Sequence, residues 1–158
     1  MDQKRDLLRH TLATIAYRGG KAIRNTPPGF SSFRPAEGSR EAGQILAHTC
    51  DLFDWALWLV RGEHRWTDAP PQAWEADVAR FFDALRALDD CLASEQPLAC
   101  TPEQLFQGPI ADALTHIGQI ALLRRLAAAP VRGENYFKAD IVAGRVGGEQ
   151  AAPAREFD

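Results

Sequence analysis

Apolar side chains return along this chain with a helical period, in four separated stretches. Over residues 3–25, Leu8, Leu12, Ile15 and Ile23 fall on one side of a helical wheel. Thr26-Pro27-Pro28-Gly29 stops this run, because two prolines cannot continue the hydrogen-bond ladder, and a polar loop carries the chain to about Ser39. Ser39 reads as the N-cap of a second helix, with Glu41 in its first turn facing the positive end of the dipole, and the helix extends to about Gly62. Its apolar stripe is Ile45, His48, Leu52, Trp55, Ala56 and Leu59, so a histidine lies on the face turned to the interior. A short connection broken by Thr67-Asp68-Ala69-Pro70-Pro71 leads to a third helix predicted over 72–94, with Val78, Phe81, Phe82, Leu85, Leu88 and Leu92 at core spacing.

Thr101-Pro102-Glu103-Gln104 has the form of a capping box with proline at the first helical position and predicts one short helical turn. Gly108-Pro109 restarts the chain into a fourth helix, predicted over 109–128 and ended by Ala-Pro. Four helices without a β-rich run between them point to an all-α protein, an antiparallel four-helix bundle over 1–130, although the long first loop permits a crossover connection. Residues 131–158, with glycines and only short apolar fragments, read as a tail of the same domain that wraps the bundle.

A chain of 158 residues, 46% apolar and 25% charged, suits one globular domain that folds without disulfides. The net charge of −3, with Lys and Arg scattered, leaves no electrostatic footprint for nucleic acid or an anionic membrane. The start lacks the apolar region of a signal peptide, so a cytoplasmic location is expected. Cys50, Cys91 and Cys100 form no Cys-x-x-Cys pair and read as structural thiols.

Chemistry concentrates in the second and fourth helices. Asp112 and His116 stand four residues apart and project from one side of the fourth helix, with Gln119 and Leu123 continuing the line. His48 comes from the core-facing stripe of another helix. Two imidazoles and one carboxylate make a facial set of three ligands with positions left open for water or substrate on Fe(II), Zn(II), Ni(II) or Mn(II). Such an ion would lower the pKa of a coordinated water or thiol. The plainer reading of His48 is a core histidine hydrogen-bonded to Asp112 or to a backbone carbonyl. Gln119 either orients His116 through its amide or is a surface polar group. His10 falls on the solvated side of the first helix, and His64 sits in an exposed loop. Cys50, about 200° round the wheel from His48, is a poor ligand. Trp55 shares the His48 stripe and could wall a pocket, Arg124 and Arg125 suit the negative end of the fourth helix, and Asn135 and Tyr136 could cover the site.

Leu46-Ala47-His48-Thr49 leading to Trp55, together with Asp112-Ala-Leu-Thr-His116-Ile117-Gly118-Gln119 and Leu123-Arg124-Arg125, resembles the paired motifs of the DinB-like superfamily of damage-inducible proteins and thiol-dependent transferases. The resemblance spans all four helices. It implies a four-helix bundle that often dimerises, with a metal held by one His of the second helix and two from a His-x-x-x-His-x-Gly-Gln run on the fourth. His48 matches the first of these and His116 the His before x-Gly-Gln. Asp112 stands where the usual pattern has His, and as an anionic ligand it favours harder ions. Two readings of function follow. One is a divalent-metal protein with His48, Asp112 and His116 as ligands, a metal-dependent thiol transferase or hydrolase acting on a small thiol or other small molecule. The other is a non-catalytic, dimeric stress or binding module in which the same residues form a metal-free His/Asp core network.

Overall fold

Local capping chemistry sets where three of the helices begin. In the computed structural model, which describes residues 2–157, the Asp2 carboxylate accepts the Lys4 N–H at 3.1 Å and opens α1 (Gln3–Ile23). α2 (Ala42–Val60) is capped by Glu41 and not by Ser39. Gln44 stands three residues after Glu41 and accepts its backbone N–H at 2.8 Å, a reciprocal bond that the alanine three residues after Ser39 cannot make. α3 (Trp74–Ala93) follows, and Thr101 caps α4 (Pro102–Leu105) through the anticipated box, with Gln104 N–H donating to Thr101 Oγ1 at 3.2 Å. α4 is not a separate turn. It continues through a wide π turn over Phe106–Ile110 into α5 (Ala111–Leu126). Gly108 leaves the helical region there (φ −91°, ψ −106°) and Pro109 brings no N–H, so the chain kinks where a restart was expected.

The protein is mainly helical, with one small antiparallel pairing of β1 (Gly133–Glu134) and β2 (Glu156–Phe157). α1 packs against α3 and α5, and so does α2, which leaves α1 and α2 diagonal. Leu12 and Ile15, Leu46 and Phe53, Phe81 and Leu88, and Ile110 and Ile120 meet in one core from which water is excluded. Gly19 lets α1 sit close to its neighbours, because a Cβ there would stand 2.7 Å from the Phe81 ring and 3.1 Å from Ile117.

Contacts at the helix ends give the directions and correct the antiparallel expectation. Trp74 Nε1 donates to Ile23 O at 3.0 Å and Arg5 donates to Ser94 O and Gln96 O, so α1 and α3 are antiparallel. Lys4 pairs with Glu103 at one end and Arg124 meets Ala22 O at the other, so α1 and α5 are parallel. Cys50 reaches Asp77 O near the start of α3 while Ala99, just past its end, bonds Val60 O, so α2 and α3 are parallel too. The connection between them, residues 61–73, is therefore not a short loop. It returns along the roughly 28 Å of α2, a distance an extended segment of this length covers easily. Among the described residues no helix is long and apolar enough to cross a membrane.

A buried carboxylate fastens the C-terminal segment to α1. Glu134, 5% exposed, accepts Tyr17 Oη–H at 2.7 Å, Lys21 Nζ at 2.9 Å and Ala154 N–H at 3.3 Å. Lys21 also reaches Glu156 at 2.7 Å. Burial pushes the Glu134 carboxyl up, but the bonds from Lys21, Tyr17 and Ala154 outweigh it and hold the group below the ordinary 4.5. A depressed carboxyl contributes stability in full above pH 4.5 that is lost as the pH falls through its folded value. Hydrogen exchange is expected to show residues 131–157 losing protection below that pH while α1 to α5 stay closed. Glu134→Gln is expected to cost about 2 kcal/mol at neutral pH and to remove this acid step. An unchanged acid profile in the variant would show that another group governs the tail.

Candidate metal centre

The kink at Gly108-Pro109 determines where the first turn of α5 is delivered. It places Asp112 and His116 against the N-terminal half of α2, where His48 stands at the edge of the buried stripe and is mostly covered. π turns interrupt α-helices most often where a side chain must be aimed. His116 Nε2 lies 3.4 Å from Asp112 Oδ1, and His48 Nε2 lies 3.9 Å from Asp112 Oδ2. The two imidazoles meet edge to face at 4.7 Å between ring centres. One donor atom from each of the three residues falls within 4.8 Å of the others. An ion held at about 2.1 Å by each ligand spaces tetrahedral donors by about 3.4 Å, so small side-chain adjustments close the set around a divalent ion.

The supporting contacts fit that chemistry. Gln119 Oε1 lies 2.9 Å from His116 Nδ1 and accepts its N–H, leaving the Nε2 lone pair directed to Asp112 and His48. Of the two roles open to Gln119, the structure shows the orienting one. Burial lowers the His48 pKa, His116 and Arg40 lower it further, and Asp112 and Asp51 oppose them. The net effect keeps His48 in the neutral form that binds metals. Asp112 is half exposed. A core His/Asp network would require a buried carboxylate, and this one faces water.

The connector 61–73 forms the wall of the site, a role that the sequence did not announce. Asp51, one turn beyond His48 and 1% exposed, accepts Ala69 N–H at 3.0 Å and pairs with Arg80, which also binds Asp54 at 2.6 Å. This anchor draws Trp66 edge-on to His48 at 5.4 Å, and Trp66 in turn meets Trp55 at 6.0 Å. Trp55 thus joins the wall through Trp66. The cue available in the sequence was the extended Asp68-Ala69-Pro70-Pro71 itself, which cannot be helix and must cross something.

Other candidates fall elsewhere. His10 and His64 are exposed. Cys50 is buried, donates to Asp77 O at 3.5 Å and is pushed up in pKa by its burial, as befits a structural thiol; Cys91 and Cys100 are free and partly buried. Asn135 accepts Phe137 N–H at 3.2 Å and shapes a turn within the C-terminal segment, whereas Tyr136 packs on Tyr17 and beneath Arg18 at 4.4 Å and seats that segment on α1. Comparison of the chain with family models, with curated proteins and with solved structures gives no match.

Proposed function

We propose that this chain is a divalent-metal protein of the DinB-like four-helix-bundle type, with His48, Asp112 and His116 as ligands and positions on the ion left open. The observation that supports it is the convergence of three donor atoms from two helices within 4.8 Å, one of them already oriented by Gln119. A transition ion such as Zn(II), Ni(II), Fe(II) or Mn(II) suits two imidazoles and a carboxylate. When bound it would supply a Lewis acid that activates a coordinated water or thiol. The reaction class that fits is transfer to or from a small thiol, or hydrolysis, in a homodimer. Half-exposed Asp112 gives water and small molecules a way in, which favours this reading over a metal-free structural network.

The test is elemental analysis of protein purified without an affinity tag or chelator, repeated after addition of each ion. About one ion per chain in the wild type, absent from Asp112→Ala and His116→Ala, is the expected result. Protein that stays metal-free after Zn(II), Ni(II), Fe(II) and Mn(II) have each been offered would overturn the reading.

A further inference from the structure

We propose that the cleft beside His48 holds the substrate of this centre and selects a small carboxylate, bound by Arg40 and Gln44; the inference rests on the metal reading above. The cleft encloses roughly 430 Å³ and is lined by Arg40, Gln44, His48, Asp68 and the two prolines of the pinned connector. Its walls are fixed on both sides, by α2 on one and by the Asp51 to Ala69 bond on the other. The oxygen of Gln44 is already taken by the Glu41 N–H at 2.8 Å, so what its amide offers the cleft is the NH₂ group, two donors. Arg40 adds a guanidinium that no carboxylate of the described residues engages, and its charge is felt at His48. An amide NH₂ beside a guanidinium is a donor pair suited to the two oxygens of a carboxylate.

Size and charge narrow the choice. Gln44 lies one turn before His48, about 6 Å of helical rise, a gap that a short diacid spans with one carboxylate group toward each end. Asp68 on the opposite lip brings the cleft's formal charge back toward zero, which disfavours a phosphate dianion relative to a single carboxylate. The proline rings and the nearby indole of Trp66 give the intervening methylenes apolar contact.

Succinate is the probe, with succinamide as its uncharged analogue of equal length, titrated calorimetrically into zinc-loaded full chain with zinc content measured on the same samples. Succinate is expected to bind wild type, with succinamide weaker by about tenfold or more. Arg40→Gln, an exposed change that leaves the ligands in place, is expected to weaken succinate by about tenfold with zinc content unchanged. Equal binding of succinate to wild type and Arg40→Gln, or none to zinc-replete wild type, would overturn the carboxylate assignment and leave the metal reading standing. Failure to load zinc would overturn the metal reading and this inference together.

Discussion

Replacing Arg124 with methionine is expected to destabilise the fold by about 3–4 kcal/mol. Arg124 is 8% exposed, and its guanidinium donates to Ala129 O at 2.9 Å, Ala22 O at 3.2 Å, Arg24 O at 2.7 Å and Asn25 O at 3.2 Å. These are the carbonyls left without partners at the C-terminal ends of α1 and α5. Burial lowers the guanidinium's basicity, and four oriented carbonyl dipoles stand in for the water it has lost. Methionine would fill the volume of the stem and leave those oxygens without donors. Arg124→Lys is expected to recover only part of the loss, since one ammonium cannot reach both helix ends in the geometry of the planar fork. Urea denaturation with the slope held common to all variants reads the difference. A loss below about 1 kcal/mol for the methionine variant would mean that water satisfies the carbonyls and that Arg124 does not join the helix ends.

Zinc affinity, measured by competition with a chromogenic chelator, is expected to fall about a thousandfold in His116→Ala, some 4 kcal/mol. Gln119→Ala is expected to lower it about 10–100-fold although its side chain reaches the ion only through His116. The amide is exposed and bonds to His116 Nδ1, so its loss would release the ring to rotate without disturbing the core. Metal-free stability should accordingly be nearly the same in Gln119→Ala as in wild type. Equal affinities for wild type and Gln119→Ala would remove Gln119 from the site and reduce it to a surface residue. Asp112→His is expected to shift preference from Mn(II) toward Zn(II) and Ni(II), because imidazole is the softer donor.

The helices were legible in the sequence because periodic apolar positions such as Leu8, Leu12 and Ile15, or Phe81, Leu85 and Leu88, report burial directly, and these residues are all buried. The convergence of His48, Asp112 and His116 was legible for the same reason, from a stripe on one helix and a four-residue spacing on another. What a stripe cannot report is direction. Nothing in the apolar period of α2 and α3 distinguishes parallel from antiparallel neighbours, and in the sequence only the length of the connector between them bears on it. The Ser39 cap failed because a side chain three residues on decides which residue closes the box. Arg124 was anticipated as a partner for one helix end, and the second end became visible only with α1 beside it. Asp51 could not be recognised as a support for the wall, since its partners are 18 and 29 residues away in the chain.

With α1 and α2 diagonal, α2 and α3 parallel, and α3 and α5 sharing no broad contact, successive helices form no hairpin among the described residues. Each lateral contact is made between segments that synthesis delivers far apart or that a long crossing strand must reunite. A fragment ending after α2 would hold two helices that share no broad face, and so would its complement beginning at α3. Each part would leave its apolar stripe in water until the other arrived. Order in this molecule is therefore acquired late and together, more slowly than in an up-and-down arrangement of the same helices, and the chain cut within residues 61–73 would be expected to regain its shape only as a reunited pair.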